Sequence, residues 1–530
     1  MILTLAILCN CVVLFYLVHK QNDIEVRESG PQRNELQRNL NNLAISYASQ
    51  NPVVSAFEGE VTIVIIEFEM FENDIPGTVR SILKVFPLIR IIIVSHKRPY
   101  PPLDLPNDNV QLVLQDTPVD QRQSTGRPEN YINTPYVMVV PDGTRFMTNY
   151  LPNNVLKTLK KLEKTSVKIV AVPVESRVKT QCDNLKVDLK RWTMEYSASV
   201  NQSGNFKLCG FISPDPVVIL KSAFLHSLSV PYVRPFLQGL FIQASVHHIL
   251  TKLLYMKSFS KGTELFTNPH NQWKHDRNFR KRLIDLYKRF GIKKIVTTTG
   301  KIEWFGCNRD TQRCFGTVVD DIPEYIYLSK WTPPCCLKNL RETAKYVFQL
   351  LDQSNVKYWL EGGSLLGAAR YKDIIPWDYD VDIGILRDDV KKCQFLQKAD
   401  DLSRTGSKFV DSSGFVWEKA REGDFFRVQY SQFNHLHVDI FPFYERNGIM
   451  TKNTWFKTHR QDTEFPAHFL KPLTRIEFVG IRASAPNSVK EFLEYKFGKG
   501  VIENPQYPNA EKLKKKLSLN QQYKIAKIGS

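Results

Sequence analysis

From Val61 onward the chain reads as short apolar runs separated by amphipathic stretches. VTIVIIEFE, RIIIVSH, VQLVLQD and YVMVVPDG are rich in β-branched residues, and NDIPGTVRSILKVF between the first two carries a helix start and helical spacing. Runs of this length are buried strands, and their alternation with helix predicts a parallel or mixed α/β sheet. Residues 19–60 are rich in Asn, Gln, Glu and Arg and predict a stem with little to bury. Earlier still, Ile2 to Val18 is uncharged and mostly apolar, at the short end for a membrane span. Phe15-Tyr16-Leu17-Val18-His19 offers no small-residue cleavage site, which favours a retained anchor over a removed signal peptide.

A second pattern begins past a basic helix ending near Lys294. Leu340, Ala344, Val347 and Leu351 recur at helical spacing and predict a helix packed behind a sheet. Val356 to Leu360 is an apolar strand running into Gly362-Gly363-Ser364, followed by a short helix from Leu365 to Arg370. Glycines there let the backbone approach an anionic group, with helix amides pointing at it. Val381, Ile383 and Ile385 then alternate with Asp380, Asp382 and Gly384, so both aspartates share one face of a strand. Two carboxylates one pleat apart in a dry site need a cation, and Mg²⁺ or Mn²⁺ is the hard cation that oxygen ligands favour. HLHVDIFPF, residues 435–443, alternates in the same way, with His437 and Asp439 opposite Leu436, Val438 and Ile440. Asp439 is the candidate general base or a further metal ligand, and His437 alone reads as structural.

Composition narrows the picture. At 530 residues the chain holds two domains of ordinary size, with the apolar and charged fractions of a globular protein. The net charge of +18 lies largely in solvated helical runs, Lys157 to Lys164 and Lys274 to Lys294, and in a C-terminal cluster, Lys512 to Lys516. Such a surface accommodates phosphorylated ligands, and no nucleic-acid partner is expected. Cys182 and Cys209 flank the sequon Asn201-Gln202-Ser203 and are a candidate disulfide in an oxidising lumen. Cys307, Cys314, Cys335 and Cys336 follow the spacing C-x6-C-x20-CC, which suits a tetrahedral zinc site and disulfides equally. Cys393 reads as a buried free thiol.

The strings EGGSLLGAAR, IIPWDYDVDIGI and ENPQYP closely resemble the LicD/fukutin family of nucleotidyltransferase-fold proteins. The similarity runs over most of the chain and is densest from Trp304 to Pro508. It implies an α/β protein in four parts: a membrane anchor over 1–18, a stem over 19–60, a non-catalytic glycosyltransferase-A-like domain over 61–290, and an α+β catalytic domain over 291–530. A zinc module within 303–337 would lie in the last, and the resemblance tips the cysteine tetrad to zinc. Where glycosyltransferases of that type place a metal-binding Asp-x-Asp, the first domain has Pro141-Asp142-Gly143, which reads as an organising or oligomerisation domain.

The resemblance also implies metal binding by Asp378, Asp380 and Asp382. It implies substrate contacts from Gly363, Arg370, Trp377, Asp378, Tyr379, Val381, Gln461, Asp462, Asn504, Pro505 and Gln506. Arg370 would pair with a diphosphate, and Trp377 offers a flat face for a base or alditol, or else packs the core. Catalysis would fall to Asp380, Asp382 and Asp439. The implied reaction moves ribitol 5-phosphate from CDP-ribitol to an O-mannosyl glycan of α-dystroglycan. The implied setting is a single-pass type II protein of the Golgi membrane, with the endoplasmic reticulum as a second compartment. Homo-oligomers and association with other fukutin-family transferases belong to the same expectation, as does glycosylation at Asn201. Two other readings are a phosphocholine-type transferase and a non-catalytic scaffold.

Overall fold

The computed structural model describes residues 52–521, apart from 101, 106–107, 116–125, 148–150, 163–164, 200–201, 204–205, 313–317, 320–321, 405, 457–458 and 519–520. The expected anchor, most of the stem, Asn201 and Cys314 lie outside the described residues. Among the described residues no helix is long and apolar enough to cross a membrane. The described residues form two compact units: those up to 186 with 197–286, and 187–196 with those from 287 onward.

The first unit is built on a nine-stranded mixed sheet. Val61–Ile65 lies between Arg90–Ser95 and Tyr136–Val139, parallel to both, and Val110–Leu114 extends the parallel set. These are the runs the apolar pattern predicts. The middle strands are buried along their length, apart from the half-buried Arg90, because helices cover both faces. Ile63 and Ile91 face a core shared with helix Ile75–Val85. Val64 and Ile92 face one shared with helix Phe236–Val246.

The stem expectation fails at its C-terminal end. Pro52–Glu60 is a helix, and its Val54 and Phe57 are buried on the sheet, with Phe57 stacked on Phe86 at 4.8 Å between ring centres. Two apolar residues one turn apart suffice to dock a short helix, and a composition average hides them. Cys182 and Cys209 are joined in a disulfide.

Asp142 is the lone carboxylate after Tyr136–Val139. It accepts from the backbone amides of Asp74, at 3.0 and 3.2 Å, and Gly143, at 2.8 Å. Burial pushes its pKa up to about 6 against those amide hydrogen bonds. A folded pKa raised above the unfolded value stabilises fully below about 3.8, and that contribution is lost as pH rises through about 6. Asp142→Asn cannot ionise. It should therefore raise stability of the first unit relative to the parent by about 1–2 kcal/mol at pH 7, shrinking toward pH 4. Thermal unfolding at the two pH values checks this, and an equal difference at both contradicts it.

The second unit centres on a sheet in the order Tyr358–Leu360, Asp380–Leu386, His437–Arg446, Phe426–Gln429, Val416–Lys419, Phe409–Val410. Helix Pro334–Gln353 packs against it through Leu340, Ala344, Val347 and Leu351, each fully buried, as their spacing predicts. Residues 187–196 join this unit because Thr193 to Glu195 pair in parallel with Lys294 to Val296. The indole of Trp192 also donates to the Trp331 carbonyl at 2.7 Å.

The cysteine tetrad differs from four zinc thiolates. Cys307 and Cys335 are bonded to one another, and Cys336 is also disulfide-bonded. An oxidised sulfur has no thiolate to offer a metal. Cys393 is free and buried.

Candidate active site

The strand Asp380–Leu386 runs parallel to His437–Arg446 in a register that sets Asp380 beside His437 and Asp382 beside Asp439. Val381, Ile383, Val438 and Ile440 take the opposite face and are fully buried. The pleat thus forces the polar side chains onto one surface, because a slip by one residue would bury the carboxylates instead. Val381 is therefore a core residue, and its expected substrate contact could come only from its backbone.

Helix Gly362–Tyr371 faces this surface. It starts three residues earlier than the sequence pattern predicts, so Gly-Gly-Ser is its first turn rather than a preceding loop. Gly362 has φ +50°, which favours glycine, and its missing Cβ would lie 3.8 Å from a carboxylate oxygen of Asp382. A Cβ on Gly363 would sit 2.9 Å from a carboxylate oxygen of Asp378. The Ser364 hydroxyl accepts from the Asp382 amide at 2.9 Å. The glycines are what allow a helix to begin against two carboxylates.

Asp378, Asp380 and Asp382 are half-buried, and enough protein surrounds them to strip most of their water. Burial raises all three pKa values, those of Asp378 and Asp382 most. For Asp378 and Asp382 the charge of Asp380 is the next cause, and for Asp380 the imidazole of His437 opposes the rise. Among the described residues no three acidic, His or Cys side chains are already closed around a metal-sized space. The donor set nevertheless fits a hard divalent cation. Three crowded, desolvated all-oxygen ligands repel one another, and a cation would relieve that repulsion.

Asp439 is placed differently from a free base. Arg427 grips it bidentately, Nε to Oδ1 at 2.9 Å and Nη2 to Oδ2 at 3.1 Å, with His437 Nε2 3.8 Å from Oδ2. A carboxylate clamped in this way is a poor proton abstractor, while its remaining lone pairs still permit metal ligation. Arg427 was legible: FRVQ alternates, and the register sets Arg427 opposite Asp439.

Lys452, absent from the sequence reading, has a side chain only 4% exposed. It pairs with Asp462 at 2.8 Å and opposes the charge on Asp382. Asp462 also accepts the Phe456 amide, so its observed work is to hold Lys452 and the loop; the neighbouring Gln461 carbonyl accepts from the Thr463 amide.

Beside the aspartates lies a cleft of about 320 Å³, lined in part by Leu366, Arg370, Ile375, Trp377, Asn504 and Gln506. Four of these were expected to bind substrate, from segments far apart in sequence. Arg370 Nε and Nη2 donate to the Val501 carbonyl, which ties the C-terminal turn to the glycine helix. Pro505 lies between two lining residues without lining the cleft itself. Trp377 neighbours Trp331, Tyr371 and Tyr507, with ring centres 5.8, 6.4 and 5.2 Å away. The Tyr379 amide donates to Asp378 Oδ1 at 3.0 Å.

A fixed acidic face under a glycine-led helix start, opening on a polar and aromatic cleft, puts this unit in the nucleotidyltransferase class. Residues 355–488 match the LicD/FKTN/FKRP nucleotidyltransferase domain, and residues 48–298 match the fukutin-related protein stem domain. The chain is 44% identical over 511 residues to human "Ribitol 5-phosphate transferase FKRP", covering 96% of each. Its mouse counterpart is 43% identical over the same length. The "Lipopolysaccharide cholinephosphotransferase LicD" of Haemophilus influenzae is 40% identical over 47 residues, 9% of this chain and 18% of its own. The chain belongs to the fukutin-related protein family.

Proposed function

We infer that the chain transfers ribitol 5-phosphate from CDP-ribitol to a ribitol-phosphate-bearing O-mannosyl glycan of α-dystroglycan, releasing CMP. The observation that carries this reading is the register of Asp380 and Asp382 against His437 and Asp439, next to the cleft of Arg370, Trp377, Asn504 and Gln506. An acceptor hydroxyl attacks the ribitol-bearing phosphorus in line. The bond to the bridging oxygen breaks, CMP leaves with that electron pair, and the hydroxyl proton passes to solvent. Asp378, Asp380 and Asp382 would hold Mg²⁺ or Mn²⁺, which would neutralise the donor diphosphate. The amides at Gly362 and Gly363 and the charge of Lys452 favour anionic oxygens at the same face. Trp377 stacks the base or alditol, and Asn504 and Gln506 supply amides for its hydroxyls.

The first unit, of glycosyltransferase-A type in this reading, organises the enzyme or its oligomer. Residues 1–18 anchor it in the Golgi membrane with the rest in the lumen. A zinc form of Cys307, Cys314, Cys335 and Cys336 belongs to the reduced protein, and elemental analysis of folded protein separates it from the disulfide form.

The aromatic group around Trp377 favours one second reading, a choline-bearing donor, since aromatic faces bind quaternary ammonium. Full-length protein in detergent, incubated with CDP-ribitol, CDP-glycerol and CDP-choline, tests both. CMP release restricted to CDP-ribitol supports the first reading, release restricted to CDP-choline supports the second, and release from none sinks both.

A further inference from the structure

Beneath the glycine helix lies a buried ion pair that none of the chemistry above uses. Glu361 immediately precedes Gly362 and occupies the cap position of that helix, yet its carboxylate does not cap it. It turns inward. One oxygen accepts from the Trp359 indole N–H at 2.9 Å, and the other meets Lys496 Nζ at 2.9 Å. The side chains of Lys496 and Glu361 are 1% and 9% exposed. Lys496 Nζ also donates to the Thr463 carbonyl at 2.8 Å, in the loop that carries Asp462.

One end of this relay touches the acidic face, and the other leads back to it through the Asp462 loop. The Glu361 amide donates to the Asp382 carbonyl at 3.0 Å, and Ser364, three residues on, receives the Asp382 amide. The indole of Trp359 lies flat against the aspartate strand, where a Cβ on Gly384 would fall 2.3 Å from its ring. Asp462, one residue before Thr463, fixes Lys452, which opposes the charge of Asp382. The pair therefore ties together the strand that carries Asp382, the helix start that leans on it, and the loop that supplies its counter-charge. A hydrophobic pair of equal volume would stabilise a core at least as well, so stability alone does not account for two buried charges here.

We propose that Glu361 and Lys496 are positioning residues for the metal-binding face: they hold the glycine turn and the Thr463 loop so that Asp382 is presented to a divalent cation. This rests on the metal-dependent reading given above.

The test compares full-length parent, Lys496→Met, Glu361→Gln with Lys496→Met together, and Trp359→Phe. Thermal unfolding, Mn²⁺ affinity by calorimetry without substrate, and the kcat and KM of CMP release are measured for each. Lys496→Met alone strands the Glu361 charge and should lower Tm by several degrees. The double variant removes both charges and should recover most of that loss. Its Mn²⁺ affinity should nonetheless be weaker by about tenfold, and kcat lower by a similar factor with the acceptor KM unchanged. A double variant with parental Tm, Mn²⁺ affinity and kcat shows that the pair is merely structural and overturns the proposal. If the double variant does not fold, Trp359→Phe decides, because it removes one hydrogen bond to Glu361 and keeps both charges. A severalfold loss of Mn²⁺ affinity supports the proposal, and unchanged affinity overturns it. A parent that neither binds Mn²⁺ nor releases CMP refutes the enzymatic reading instead, a result distinct from both.

Discussion

Asp380→Asn and Asp382→Asn should each lower the rate of CMP release by about a hundredfold or more, while the apo protein melts at the parental temperature or higher. The opposite signs follow from one cause. Asp378, Asp380 and Asp382 are desolvated and repel one another, which raises all three pKa values. An amide in place of one carboxylate relieves that repulsion without changing the side chain's volume, so the empty site becomes easier to fold. The same amide is a poorer Mg²⁺ ligand and contributes no negative charge, so the cation and the diphosphate it neutralises are held less well. The strand should survive, since Val381 and Ile383 still fill the core. Melting in EDTA and in Mn²⁺, alongside CMP release, checks both halves. The parent should gain stability with Mn²⁺ and the variants should gain less. Undiminished, EDTA-resistant turnover by folded Asp380→Asn protein would refute the metal mechanism and return the scaffold reading.

The acidic face was legible in the sequence because it depends on local rules. Alternation of Asp380, Val381, Asp382 and Ile383 fixes which face each side chain takes, and the same rule places His437 and Asp439. That the two strands are neighbours in parallel register, Asp382 beside Asp439, is a tertiary fact that alternation is consistent with but does not dictate. The cations that face these carboxylates and their supports were missed. Arg427 could have been found from its own alternating run. Lys452 and Lys496 could not, because a lone lysine in a loop or an amphipathic helix reads as solvated, and only packing shows these two side chains to be 4% and 1% exposed. The helix start was set too late for a related reason. Glycines count against a helix interior, but at its first turn the cost of a Cβ against Asp378 outweighs propensity. The Pro52–Glu60 helix was hidden in a polar average, and the oxidation state of the cysteines is not written in their spacing.

Gly384→Ala and Gly363→Ala should fail in different ways, and the contrast separates scaffold from site. A Cβ on Gly384 would stand 2.3 Å from two carbons of the Trp359 ring and 2.7 Å from its nitrogen. Trp359 is 1% exposed and wedged near Phe443 and Phe465, at 5.5 and 6.5 Å between ring centres, so it has nowhere to retreat. Overpacking of this kind costs about 3 kcal/mol, which in a unit of this size lowers Tm by roughly 6–12 °C. Gly363 faces a different neighbour. Its added Cβ would meet only Asp378 Oδ2, at 2.9 Å, the end of a side chain whose χ rotation can relieve the contact. Alanine is also the better helix former, so the fold should hold and Tm should change by no more than a degree or two. Displacing Asp378 removes one of three carboxylates from the acidic face. Gly363→Ala should therefore bind Mn²⁺ and release CMP about tenfold or more below the parent, with normal melting in EDTA. If Gly384→Ala melts like the parent, the flat packing of Trp359 on the aspartate strand is wrong. If Gly363→Ala keeps full activity and metal affinity, Asp378 is not a working part of the site.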